Sequence, residues 1–166
     1  MKRRSFLPAI LIFLLLAACN SAHPPRIGNP APDFTVADGQ KTISLAQFRG
    51  KPVLLNFWAT WCPPCIQEMP SLVALQKQLG DKVIILAVSE DDDANAYQQF
   101  IRDHNITLLT VRDTRHSNEL YGTFKFPETF VIDKDGKIVH IDENAAAIDP
   151  TGAAEACSRS AHKAGQ

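Results

Sequence analysis

A chain of 166 residues is long enough for one domain with a full hydrophobic core. Hydrophobic residues make up 45% and charged residues 21%, a balance that is ordinary for a globular protein. The formal net charge of −1 gives no electrostatic basis for binding nucleic acid, so no nucleic-acid partner is expected.

The N-terminus, residues 1–18, has the pattern of a lipoprotein signal peptide. Lys2-Arg3-Arg4 is positive, and residues 6–16 are apolar over a length too short to span a membrane comfortably. Leu16-Ala17-Ala18-Cys19 matches the lipobox of bacterial lipoproteins, in which the Cys becomes the lipid-modified first residue. We therefore expect lipidation at Cys19 and anchoring in the bacterial cell envelope, with the domain on the extracytoplasmic (periplasmic) side. The alternative is a signal peptide with an incidental Cys.

Residues 19–32 are polar and carry four prolines, which predicts a tether between the membrane and the domain. The folded domain is predicted at residues 33–142. It begins with two short strands, 34–36 and 42–43, which flank Asp38-Gly39 as a β-hairpin. Ser44 then opens a capping box for one short helical turn that reaches Phe48.

A buried strand that runs directly into a Cys-x-x-Cys is the most informative part of the chain. Residues 53–59 are apolar apart from Asn56, and Cys62-Pro63-Pro64-Cys65 follows almost at once. The prolines suit the start of a helix, because N–H groups in the first turn have no partner inside the helix. A sulfur at that N-terminus is favoured as a thiolate, and a second Cys one turn later can close a reversible disulfide with it. Cys62 and Cys65 therefore predict thiol–disulfide chemistry.

The same Cys spacing occurs in zinc sites. Zinc normally needs four ligands, but only Cys19 and Cys157 remain, and the five His residues form no spaced ligand pair. Redox chemistry is therefore favoured over zinc binding and over a merely structural disulfide. We expect no metal and no cofactor.

Strands and helices alternate after Cys65. The apolar face of the first helix ends at Gly80, and Pro70 inside it is expected to cause a kink. The next elements are predicted as a strand at 83–88, a helix at 94–104, a strand at 108–111, a short helix at 117–121, and a hairpin at 124–132 and 137–141. The acidic run 90–93 is explained by the start of a helix, and His104 by a helix boundary, rather than by a metal site. The pattern predicts an α/β domain with a mixed sheet flanked by helices.

Three motifs resemble the membrane-anchored thioredoxin-like proteins of the TlpA/ResA type. They are Asn-Phe-Trp-Ala-Thr-Trp-Cys-Pro-Pro-Cys at 56–65, Phe-Pro-Glu-Thr-Phe at 126–130 and Ile-Asp-Lys-Asp-Gly at 132–136, with Pro70 between them. The similarity runs from about residue 31 to about residue 139. It implies a thioredoxin-like fold with a central αβ insertion near residues 90–111. It also implies that Pro127 is a cis-proline facing the disulfide.

The resemblance implies a protein thiol–disulfide oxidoreductase that reduces disulfides of exported proteins, including apocytochrome c and copper-site proteins. Cys62 would attack the partner disulfide, and Cys65 would resolve the mixed disulfide. Trp61, Pro63, Pro64 and Phe126 would line the docking surface, where substrate backbone pairs beside Phe126. A membrane thiol–disulfide relay protein would supply the electrons.

One carboxylate is also implied by the resemblance. Thioredoxin carries a buried Asp in the active-site strand, where this chain has Asn56. The family instead offers a Glu three residues after the second Cys, which is Glu68 here. The alternative is that Glu68 is a solvated helix residue.

The C-terminal tail, residues 143–166, departs from the family pattern. Family members usually follow the last strand with a Gly and an apolar-faced helix that covers the sheet. Here no large aliphatic or aromatic residue follows Ile148, so an Ala-rich helix would bury little surface. We expect an atypical tail with Cys157 as a free thiol.

Other functions stay open at this level. The pair could oxidise substrates instead of reducing them, or Cys62 and Cys65 could carry copper as a metallochaperone; a non-catalytic lipoprotein is favoured only by the tail. A peroxidase of the Pro-x-x-x-Thr-x-x-Cys type is excluded, because Ala59 stands three residues before Cys62 and Cys62 itself three before Cys65.

Overall fold

A computed structural model describes residues 25–39 and 41–142. The predicted signal peptide, Cys19, most of the predicted tether, and the tail with Cys157 lie outside the described residues. Within the described residues, the helices are too short or too polar to cross a lipid bilayer.

The secondary structure follows the predicted alternation closely. In chain order the described elements are β1 (Thr35–Asp38), β2 (Lys41–Ser44), β3 (Val53–Trp58), α1 (Pro63–Leu79), β4 (Ile84–Ser89), α2 (Ala94–Asp103), β5 (Leu109–Arg112), β6 (Glu128–Ile132) and β7 (Ile138–Asp142). Short 3-10 turns lie at Leu45–Phe48, Gly80–Lys82 and Ser117–Tyr121. The predicted insertion near residues 90–111 therefore holds α2 and most of β5.

The main sheet is mixed and has the strand order β5-β4-β3-β6-β7. Strands β3, β4 and β5 are parallel, whereas β6 is antiparallel to both β3 and β7. β1 and β2 form a separate antiparallel hairpin, as predicted. Because β3 ends where β6 begins, residues 59–65 and residues 124–127 meet at the same end of the sheet. This is the thioredoxin-like arrangement predicted from the motifs.

Both faces of the sheet are covered, which explains the continuous apolar runs of β3 and β4. Leu54 and Trp58 point to the face covered by α1 and α2, where they pack with Met69, Leu72 and Tyr97. Successive residues of a strand point to opposite faces, so Leu55 and Phe57 reach the other side. There they pack with Phe34, Tyr121 and Phe130. Burial of each such side chain contributes about 1.5–3 kcal/mol.

The segment before β1 is attached to the turn between β6 and β7. The N–H of Gly28 donates to Ile138 O at 2.7 Å, and the N–H of Ala31 donates to Gly136 O at 2.9 Å. Ala31 is buried. The packed part of the chain therefore begins upstream of the predicted boundary at residue 33. This turn lies at the end of the sheet opposite to residues 59–65.

Strand β6 begins later than the sequence pattern predicts. The apolar run starts at Phe124, but the strand starts at Glu128, after a cis peptide bond between Phe126 and Pro127. Pro127 has no N–H for the ladder, so the segment that precedes it cannot continue the strand pairing. The cis-proline implied by the resemblance is thus present.

Candidate active site

The two cysteines of the Cys-x-x-Cys motif begin helix α1 and are joined by a disulfide. Cys62 is the N-cap residue, in extended conformation, and Pro63 and Pro64 fill the first turn. The N–H of Cys65 donates to Cys62 Sγ at 3.3 Å. Cys62 is 4% exposed and Cys65 is fully buried. The sequence predicted this placement of the pair at a helix N-terminus.

The loop between β3 and the disulfide is held by Asp91, which follows β4. The Asp91 carboxylate accepts hydrogen bonds from the N–H of Thr60 at 3.0–3.1 Å and from its hydroxyl at 2.6 Å. The hydroxyl of Ser89 donates to the same carboxylate at 2.6 Å. The sequence interpretation assigned all of the acidic run 90–93 to the helix start. That interpretation holds only for Asp93, which caps α2, because Asp91 fixes the active-site loop instead.

Two aromatic side chains, Trp61 and Phe126, lie beside the disulfide and are called the aromatic wall below. Trp61 is 64% exposed, and its ring centroid lies 5.8 Å from that of Phe126 in an edge-on arrangement. Phe126 also packs against the apolar cluster that contains both cysteines. The structure therefore brings together Trp61, the disulfide and the cis-Pro127 loop, as the sequence predicted. Phe124, two residues before Phe126, is 80% exposed and was not singled out by sequence reasoning.

Glu68 lies three residues after Cys65 on α1, so both side chains lie on the same side of the helix. It is only 3% exposed, and the alternative of a solvated surface residue is therefore wrong. Burial raises the pKa of Glu68 to about 7. The hydrogen bond from Asn56 opposes this shift, and the negative charge of Asp142 adds to it. A carboxyl group with this pKa can take up or release a proton near neutral pH.

Asn56 connects Glu68 to the neighbouring strand. Its amide nitrogen donates to Glu68 Oε1 at 2.7 Å and to Thr129 Oγ1 at 3.0 Å. Asn56 and Thr129 are direct partners in the β3–β6 ladder, and both are buried. The polar position in an apolar strand was the sequence signal for this contact, although its partner in β6 was not predictable.

Another buried carboxyl group, Glu90, was missed by the sequence interpretation. It follows β4 directly, and its N–H donates to Trp58 O at 2.9 Å. Its carboxylate lies 3.6 Å from Nδ1 of the half-exposed His116. Burial, and then the negative charge of Asp113, raise the pKa of Glu90 to about 8. Its place at the end of a buried strand was the available signal.

Among the described residues, no group of three or more His, Cys, Asp or Glu side chains has an arrangement that could hold a metal ion. The donor set at the site consists of two sulfurs in a disulfide and one carboxyl group. Its chemistry is that of thiol–disulfide exchange with proton transfer.

Comparison with known proteins agrees with this geometry. The model of the AhpC/TSA family matches residues 27–141. The thioredoxin-like protein YneN of Bacillus subtilis (strain 168) is 39% identical over 119 residues, which are 69% of each chain. The thiol-disulfide oxidoreductase ResA of Bacillus cereus (strain ATCC 10987 / NRS 248) is 34% identical over 152 residues, 84% of this chain and 88% of that protein.

Solved structures lead to the same group. A crystal structure of a thiol:disulfide interchange protein DsbE from Chlorobium tepidum superposes with a TM-score of 0.74 at 25% identity, covering 81% of this chain and 97% of the other. The fold, the redox pair and the relatives agree on one chemistry. The chain belongs to the AhpC/TSA family, within its thioredoxin-like thiol–disulfide oxidoreductases of the ResA type.

Proposed function

We propose that this oxidoreductase is an exported, lipid-anchored reductase that reduces disulfides of extracytoplasmic proteins. Apocytochrome c and copper-site proteins are the substrate classes that its family resemblance implies. Cys19 would carry the lipid, and a membrane thiol–disulfide relay protein would return electrons to Cys62 and Cys65. The observation that carries the catalytic part of this proposal is the disulfide at the N-terminus of α1, beside an exposed aromatic wall.

The reaction is a two-step exchange. The Cys62 thiolate attacks one sulfur of the partner disulfide, so that the partner's S–S bond breaks and its second sulfur leaves as a thiolate that takes a proton. Cys65 then loses its proton to Glu68 and attacks Cys62. The mixed disulfide breaks, and the partner's first sulfur leaves and is protonated. Two thiols of the enzyme have become a disulfide, and the partner disulfide has become two thiols.

Docking of the partner would use the aromatic wall. Trp61 and Phe126 offer apolar surface next to Cys62, while Pro63 is exposed and Pro64 partly exposed at the start of α1. Phe126 precedes the cis-proline outside the strand ladder, where its backbone is available for pairing with an extended partner segment.

The partner can be identified by trapping. A Cys65→Ser variant keeps the attacking sulfur and lacks the resolving one, so mixed disulfides with Cys62 should accumulate and be recoverable for mass spectrometry. A Cys62→Ser/Cys65→Ser variant is the matched control. Trapping of exported proteins only with the single variant supports the proposal. If no exported protein is trapped, extracytoplasmic substrates are the wrong assignment.

Anchoring is tested separately, by Cys19→Ser. The variant should leave the membrane fraction or remain as an uncleaved precursor, while the redox activity of the domain is unchanged. If processing and membrane retention both stay as in the unmodified protein, Cys19 is not a lipidation site.

A further inference from the structure

Side-chain hydrogen bonds of Asn56 connect β3 to Thr129 on β6 and to Glu68 on α1. Asn56 is fully buried in the middle of β3, on the same face as Leu54 and Trp58. That face is covered by α1, which bears Cys65 and Glu68. Most other side chains on this part of β3 are apolar, so the amide is the polar link between the sheet and the helix.

The hydrogen bonds of Asn56 leave one of its atoms without a partner. Both bonds use the amide nitrogen, toward Glu68 Oε1 and Thr129 Oγ1, while Asn56 Oδ1 has no hydrogen-bond partner among the described residues. A buried acceptor in this state disfavours folding, although the two bonds from the amide nitrogen satisfy buried oxygens of Glu68 and Thr129. The amide therefore combines a cost in stability with a direct contact to the carboxyl group.

We propose that Asn56 is a positioning residue for thiol–disulfide exchange, which acts through Glu68 and is itself oriented by Thr129. This inference rests on the proposed function, and on the role of Glu68 as proton acceptor for Cys65. Asn56 donates to Glu68 Oε1, one of the two oxygens of the carboxylate that would receive the proton. The Thr129 hydroxyl holds the amide from the opposite strand, two residues after Pro127.

The physical effect follows from the sign of each contribution. Burial favours the neutral carboxyl group of Glu68, and an N–H donor favours the carboxylate. Asn56 thus keeps the base form available near neutral pH within a site that would otherwise suppress it. A proton acceptor is most effective when its pKa lies near the working pH. The hydrogen bond from Asn56 to Glu68 should therefore speed the attack of Cys65 on the mixed disulfide.

The test is the pH dependence of the resolution step. Cys62 is converted to its mixed disulfide with glutathione, and the release of glutathione on attack by Cys65 is followed from pH 5 to pH 9. In Asn56→Leu the midpoint of the rate profile should move to higher pH by about one unit, the size expected for loss of one hydrogen bond to a charged group. At pH 7 the rate should fall about fivefold, since fewer molecules then hold Glu68 as a carboxylate.

Three variants separate positioning from a structural role. Thr129→Val should shift the midpoint in the same direction, and Thr129→Ser, which keeps the hydroxyl, should restore it. Thr110→Val is the matched control, because Thr110 is a buried threonine of β5 that bonds the hydroxyl of Tyr97 and not Glu68. Thr110→Val should leave the midpoint unchanged. These threonine variants decide the question even if Asn56→Leu fails to fold.

A double variant tests whether Asn56 acts through Glu68. In a Glu68→Gln background, Asn56→Leu should cause no additional change in the profile. An unshifted midpoint in both Asn56→Leu and Thr129→Val, or an undiminished effect in the double variant, would overturn the inference. Failure of the proposed function looks different, because Cys65→Ser would then trap no exported protein while the exchange with glutathione and its pH profile stayed the same.

Discussion

The backbone N–H of Cys65 points at the sulfur of Cys62, 3.3 Å away. Pro63 and Pro64 occupy the two positions between them and have no N–H to offer. A thiolate on Cys62 therefore finds one backbone donor in this turn, where other sequences could supply more. Because weaker stabilisation of the thiolate disfavours the dithiol form, the pair is expected to be reducing, nearer to about −270 mV for thioredoxin than to about −120 mV for DsbA.

Adding a donor should make the pair more oxidising. Pro64→Ala restores an N–H in the first turn of α1, and the reduction potential should rise by about 30 mV, which corresponds to one hydrogen bond of about 1.4 kcal/mol. Equilibration in glutathione buffers measures the potential. Pro70→Ala is the control, because it restores an N–H in the second turn, away from Cys62. Equal shifts in both variants would contradict the explanation from the missing donors.

The two thiols should differ in reactivity. Cys62 lies at the helix N-terminus and is 4% exposed, whereas Cys65 is fully buried one turn inside. Brief alkylation of the reduced protein should therefore label Cys62 first, by at least tenfold. Peptide mapping by mass spectrometry measures the ratio. Faster labelling of Cys65 would reverse the proposed roles of attacking and resolving sulfur.

Glu68 should determine the pH profile of resolution. With its pKa near 7, the rate of glutathione release should rise with pH through an inflection near pH 7. Glu68→Gln should remove that inflection and slow the step by about 100-fold above pH 7. Asp142→Asn should move the inflection to lower pH, because the charge of Asp142 raises the pKa of Glu68. A Glu68→Gln profile identical to that of the unmodified protein would rule out proton transfer to this residue.

Glu90 should make the fold more stable in mild acid. Its pKa of about 8 in the folded state exceeds the ordinary 4.5, so the folded protein holds a proton that the unfolded chain releases above pH 4.5. This stabilisation is complete below pH 4.5 and is lost as the pH rises through about 8. Asp113, Asp91 and Glu119 add negative charge around the group, and His116 faces it.

Replacement of Glu90 by Gln mimics the protonated state at every pH. Glu90→Gln should raise the free energy of unfolding at pH 8 by roughly 1–3 kcal/mol and should have little effect at pH 4.5. Urea unfolding of the oxidised protein at the two pH values gives both numbers. Asp103→Asn is the control, because Asp103 is an exposed carboxyl group at the end of α2 and is not among the charges that raise the pKa of Glu90. A gain in stability that is equal at both pH values would exclude titration of Glu90 as its cause.

Local patterns predicted most of the fold. The redox pair could be placed at a helix N-terminus from the apolar run of β3, the prolines after Cys62 and the Gly that ends α1. Each of these signals depends only on residues that are close together in the chain, so the sequence reveals it directly. The cis peptide before Pro127 could be inferred only from the resemblance. The start of β6 at Glu128 could not be read from the pattern, because aromatic residues occur before Pro127 as well as within the strand.

Long-range partners were beyond the sequence. The acidic run after β4 gives no sign that Asp91 reaches Thr60, because that contact depends on how two parallel strands end side by side. The link from Asn56 to Thr129 depends in the same way on the β3–β6 register, which joins residues 73 positions apart. The site residues that sequence reasoning missed are those held between strands.

The attachment of residues 28–31 to the β6–β7 turn places the start of the packed chain at the end of the sheet that lies away from the redox pair. The turn and the disulfide occupy opposite ends of β6, a strand of five residues that spans about 17 Å. An anchor upstream of Gly28 would therefore connect to the domain at the end of the sheet opposite to Trp61 and Cys62. The length of the sheet then adds to the length of the tether in the distance that the redox pair can keep from the anchor.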